Sequence, residues 1–120
     1  MQVAACAVGP EVPCLTGIRV MLAERDDDLA VVWTLLLEWL GAEVVRLDNQ
    51  ANAPPHRDRD VLVFDSDLAS TASLRSYAAT LPTIVTGDAV DLPNARLLPK
   101  PVYPTELSRA ILELTRHTAP

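Results

Sequence analysis

Apolar residues in this chain come in short blocks separated by charged or proline-containing segments. Residues 18–23 (I-R-V-M-L-A), 43–47, 60–64 (D-V-L-V-F), 83–86 and 96–99 form such blocks. They lack the strict alternation of a strand with one wet face, so they predict strands buried on both faces. Residues 29–40 are longer and apolar-rich, follow Asp26, Asp27 and Asp28, and stop at Gly41. Acids favour the positive end of a helix and glycine lets it close, so this segment predicts a helix. Residues 71–81, halted by Pro82, predict a short helix. Residues 105–117 predict an amphipathic one with Leu107, Ala110, Ile111 and Leu114 on one face. The polar segment 48–59, broken by Pro54-Pro55, and the segment 87–94 with Pro93 read as loops without a helix of their own. Strands alternating with helices or loops imply a parallel α/β sheet covered on both sides.

The helix over 29–40 carries more apolar surface than one-sided burial uses. At 100° per residue, Leu29, Val32, Trp33, Leu36, Leu37 and Leu40 make the expected core face. Val31, Leu35 and Trp39 form a second stripe, leaving Ala30, Thr34 and Glu38 as a polar edge. The second stripe packs either on the last helix or on a partner. Residues 1–16 hold Gly9, Pro10 and Pro13 without sustained periodicity and read as a tail or linker before a single domain over 17–120.

Composition narrows the class. At 120 residues, 49% hydrophobic and 22% charged, the chain matches one globular domain, and 4% aromatics means an aliphatic core. A net charge of −6 argues against nucleic acid or an anionic membrane as main partner. No apolar run approaches the roughly 20 residues of a membrane span. Cys6 and Cys14 are too few for a disulfide framework and are followed by no zinc-spaced ligands, so a reducing cytoplasm is expected. Val3-Ala4-Ala5-Cys6 has the look of a lipoprotein cleavage site but lacks the basic and apolar regions that must precede one. Nine of the ten basic residues are arginine, and the remaining one, Lys100, stands directly before a proline.

In an open parallel sheet, functional groups gather beyond the carboxyl ends of the strands. Here those ends deliver Glu24-Arg25-Asp26, Asp65-Ser66-Asp67, Thr86 and Lys100. Carboxylates and a carbonyl at one mouth suit a small hard cation such as Mg2+. A carboxylate beside an ammonium suits phosphoryl acceptance, because the cations neutralise the transferring oxygens. Thr86 would then hydrogen-bond the new phosphoryl group.

From about residue 17 to 117 the constellation resembles the CheY-like receiver domain of two-component signalling. The similarity lies in G-I-R-V-M-L-A-E-R-D, L-G-A-E-V, D-V-L-V-F-D, T-G and above all L-P-K-P-V-Y-P-T-E-L. The resemblance implies a three-layer α/β sandwich with a five-stranded parallel sheet ordered 2-1-3-4-5 and shortened or missing middle helices. It implies Asp65 as phosphoacceptor, Thr86 and Lys100 as switch and phosphoryl-binding groups, and Mg2+ held by Glu24, Asp65 and the carbonyl of Asp67, with Asp26 as a substitute ligand. Partners would be a histidine kinase or histidine phosphotransfer domain. The opening L-T-G-I-R-V is similar to receivers within hybrid sensor histidine kinases, and Val31, Leu35 and Trp39 would serve a homodimer or docking onto the kinase. Two departures keep an alternative open. Arg25 stands where receivers carry a second acid and can replace the metal with its own charge, and the spacings from Asp65 to Thr86 and from Thr86 to Lys100 are short. The alternative is a pseudo-receiver, not phosphorylated, acting as a protein-interaction or ligand-sensing module, for instance for a cyclic dinucleotide. V-L-V-F-D-S-D also resembles the nucleophile motif of haloacid-dehalogenase-type phosphatases, but the 55 residues after Asp65 are too few for that fold. A signalling domain rather than an enzyme is expected.

Overall fold

The computed structural model describes residues 14–47, 57–92 and 94–117. Most of the expected tail and of the loop 48–59 lies outside them. Elements run β1 (Arg19–Ala23), α1 (Asp27–Trp39), β2 (Glu43–Arg46), β3 (Asp60–Asp65), a 3-10 turn (Ser66–Leu68), α2 (Ala72–Ala78), β4 (Thr83–Thr86), β5 (Arg96–Leu98) and α3 (Pro104–His117). All strand pairings are parallel, and the five strands lie in the order 2-1-3-4-5.

The buried blocks divide by parity. Val20, Leu22, Val61, Val63 and Ile84 point to one face, where they meet Trp33 and Leu37 of α1, Leu40 just past its end, and Leu107, Ala110 and Ile111 of α3. Met21, Ala23, Leu62, Phe64 and Val85 point to the other, where they meet Leu74 of α2. Successive side chains of a strand alternate sides, so a continuously apolar strand feeds two cores at once and a three-layer sandwich results. Leu15 is fully buried in the first core, and its amide donates to the carbonyl of Leu40 at 2.8 Å, so the packed body begins before Gly17. Cys14, at the edge of the described residues, is disulfide-bonded.

Charge is buried at the amino ends of the central strands. Arg19 and Asp60 face each other in register on β1 and β3. They form a two-pronged pair, Nε to Oδ1 at 2.9 Å and Nη2 to Oδ2 at 2.6 Å, with the Arg57 amide donating to Oδ2 at 2.7 Å. Both side chains are almost fully shielded from solvent.

Helix α1 departs from the expected core face. Ala30, Trp33, Leu37 and Leu40 are buried and Leu29 and Leu36 half-buried, but Val32 is 57% exposed. The buried set centres between Ala30 and Trp33 around the helix, which leaves Val32 about 120° away at 100° per residue. Ala30, expected on a polar edge, therefore faces the sheet, and its small side chain lets the helix approach. Val31, Leu35 and Trp39 are exposed, so α3 does not cover them.

Candidate functional site

Strand register sets the mouth of the site. Asp65, the last residue of β3, pairs with Thr86, the last of β4, and Thr86 pairs with Leu98 two residues before Lys100. Ala23 pairs with Phe64, so the next step along β1 brings Glu24 beside Asp65. Four separate strand ends thus converge, as an open parallel sheet requires.

Asp65 is only 3% exposed. Its Oδ2 accepts from Lys100 Nζ at 2.8 Å, and its Oδ1 accepts from the Asp67 amide at 2.8 Å, capping the 3-10 turn. Burial works to raise the Asp65 pKa, but the Lys100 ammonium, the Asp67 amide and a hydrogen bond from Glu24 outweigh it and hold the carboxyl below its ordinary value. Glu24 moves the other way. Burial and the adjacent Asp65 raise its pKa against the opposing pull of the Asp26 amide, which donates to Glu24 Oε2 at 3.1 Å. Within the pair Glu24 is therefore the weaker acid and Asp65 the stronger. The hydrogen bond to Asp65 raises the Lys100 pKa despite partial desolvation, so the amine stays charged.

The remaining predicted residues divide between the pocket and its rim. Thr86 is buried beside Lys100 in the wall of an apolar cleft of about 480 Å3 that Leu29, Trp33, Pro101 and Val102 complete. Asp26 caps α1, its Oδ1 accepting from the amides of Asp28 at 3.0 Å and Leu29 at 3.2 Å. Arg25 lies at the rim with its side chain 70% exposed and donates to Asp67 Oδ2 at 3.4 Å. A pair so long and wet contributes little. Val31, Leu35 and Trp39 lie on the outer face of α1, none of them in the lining of the pocket.

One contributor carried no signal in the sequence. Ser66 Oγ accepts from the Asp88 amide at 3.0 Å and ties the turn after β3 to the turn after β4. Gly87, with φ of +115°, makes the contact possible, since a Cβ there would lie 2.5 Å from Ser66 Oγ. A serine between two aspartates reads as ordinary turn chemistry until its neighbour across the sheet is known.

A cavity of about 370 Å3 opens among Glu24, Asp26, Asp65, Asp67 and Lys100. Its donors do not assemble a divalent-cation cage. Asp26 is committed to the helix cap, and Arg25 stands where a further acid would be needed. Among the described residues no group of three or more His, Cys, Asp or Glu side chains is placed to hold a metal ion.

No family model matches the sequence, and no curated protein does. Solved structures do match. Full-length FixJ from B. japonicum superposes with a TM-score of 0.70 at 20% identity, covering 88% of this chain and 61% of FixJ. A response regulator receiver domain protein from Clostridium thermocellum gives 0.67 at 20% identity, covering 83% and 95%. The receiver domain of the hybrid histidine kinase CckA gives 0.60 at 22% identity, covering 81% and 98%. The chain spans about three fifths of FixJ, and at this level of identity the likeness is one of fold. The fold is that of CheY-like receiver domains.

Proposed function

We propose that the chain is a receiver-type signalling domain in which Asp65 accepts a phosphoryl group from a phosphohistidine of a kinase or phosphotransfer partner. The observation that carries this reading is the 2.8 Å contact between Lys100 Nζ and Asp65 Oδ2 at a mouth where Thr86 also ends. Asp65 is held ionised, so one carboxylate oxygen can attack phosphorus. The P–O bond forms as the P–N bond breaks, and the departing imidazole takes up a proton. Lys100 offsets charge on the equatorial oxygens, and Thr86 offers a hydroxyl to the bound phosphoryl group. The setting would be the cytoplasm, within a larger sensor or regulator. No helix among the described residues is long and apolar enough to cross a membrane.

A second reading has its own support. The capping role of Asp26 and the presence of Arg25 both favour a domain that signals without phosphorylation. Treatment of the full chain with a small phosphodonor, with and without Mg2+, separates the two. The expected result is one acid-stable, hydroxylamine-labile phosphoryl adduct by intact mass, absent in Asp65→Asn. No adduct at millimolar donor overturns phosphoacceptance and leaves the phosphorylation-independent reading.

A further inference from the structure

We propose that the cleft between α1 and the segment after β5 is a binding site for a small, uncharged, apolar molecule that presents a carbonyl oxygen. The walls are apolar. Leu29 and Trp33 of α1 form one side, Pro101 and Val102 form the other, and the space between them is about 480 Å3. Small-molecule sites occupy roughly 300–1,000 Å3 and are lined in this way, with a few polar groups to fix orientation. Trp33 also belongs to the core beneath, which holds its indole in place as a wall.

The polar groups in the lining call for an acceptor. Among the described residues nothing hydrogen-bonds to the Thr86 hydroxyl, although Thr86 is only 4% exposed and lies in the cleft wall. Buried hydroxyls are paired as a rule, and an unpaired one costs stability until a group supplies the bond. Lys100 lines the same cleft. Its ammonium uses one N–H on Asp65 Oδ2 at 2.8 Å and has two more to donate. Two donors beside an apolar cleft are satisfied together by one oxygen with two lone pairs.

Charge decides which kind of oxygen. A free carboxylate placed there meets Glu24 in the lining and the Asp65 carboxylate that Lys100 already holds, and like charges oppose docking. An amine fails for a different reason, because an ammonium only donates and Lys100 is itself a donor. The carbonyl of a ketone, ester or amide accepts from Thr86 and Lys100 without adding charge, and its hydrocarbon or aromatic body fills the apolar walls. Binding does not require that Asp65 be phosphorylated. One consequence does rest on the phosphoacceptor reading: ligand and phosphoryl group claim the same hydroxyl and ammonium, so each excludes the other.

The test uses the full chain without phosphodonor, so its outcome is separate from that of phosphoacceptance. Three probes share one skeleton and differ in charge: hydrocinnamamide, hydrocinnamate and phenylpropylamine. Each is titrated to about 10 mM, where a molecule of this size fills a matching site, and followed by amide and indole NMR shifts. Nuclear Overhauser contacts locate the phenyl ring, and a Trp39→Phe variant tells the two indoles apart. The amide is expected to contact Trp33 and Val102 and to bind about fivefold or more tighter than the anion or the amine. In Thr86→Val its affinity falls about three- to tenfold, while Thr86→Ser keeps it. No contact with Trp33 at the highest concentration overturns the site. Equal or tighter binding of the anion or the amine overturns the carbonyl assignment, and unchanged affinity in Thr86→Val overturns the part given to the hydroxyl.

Discussion

At the scale of single residues, the site sets two neighbouring carboxyl groups apart, with Asp65 held below its ordinary pKa and Glu24 above it. Lys100 bonds Asp65 directly and favours ionisation there, while burial and the neighbouring Asp65 disfavour it at Glu24. The consequence for stability has a definite sign. An acid whose pKa is raised by folding adds stability that is complete below its unfolded value and is lost as pH climbs through its folded value. Glu24 is such a group. Glu24→Gln keeps an acceptor for the Asp26 amide and a donor for Asp65 without that loss. The variant is expected to match the native chain in thermal midpoint near about pH 4 and to exceed it progressively towards about pH 8. A gap that stays constant or narrows with rising pH would contradict the upward shift of Glu24. Asp65, lowered, runs the opposite way, its contribution lost as pH falls.

At the scale of elements, the start of α1 shows one carboxylate claimed by local structure. Asp26 satisfies the amides of Asp28 and Leu29, which the first turn of a helix otherwise leaves unpaired. Asp26→Ala is expected to cost about 1 kcal/mol in urea unfolding, and the loss should be the same with and without Mg2+. A variant that loses a Mg2+-dependent gain would place Asp26 on a metal instead. The same helix shows why its faces were misassigned from periodicity. Six apolar positions and three more at helical spacing give two candidate stripes, and only contact with β1 and β2 selects the one through Ala30 and Trp33. Val32 is left outside because the helix is rotated to bring its smallest residue against the sheet.

At the scale of the whole molecule, the sheet is clamped at the end opposite the site. Arg19 and Asp60 lie across β1 and β3 at their amino ends, while Glu24 and Asp65 lie at the carboxyl ends of the same strands. Arg19→Ala leaves a buried carboxylate without its cation and is expected to cost about 3–5 kcal/mol, whereas Arg19→Met with Asp60→Leu should be near neutral in chemical denaturation. If the single variant is as mild as the double, the pair is not buried in solution. The strands, the two-sided burial of β1, β3 and β4, the terminal helix and the gathering of chemistry at Asp65, Thr86 and Lys100 were legible in the sequence. The edge strands β2 and β5, expected to be buried on both faces, are partly exposed because each has a neighbour on one side only. Hydrophobic period and turn residues are local, and a parallel sheet obliges strand ends to share one edge. The partner of each polar group was not legible. That Arg25 turns to the rim, that Ser66 meets Asp88 and that burial beside Asp65 raises the Glu24 pKa all depend on distances between segments far apart in the chain. Hydrogen bonds and charge interactions decay over a few ångströms, so only the folded arrangement decides which of the available partners each group takes.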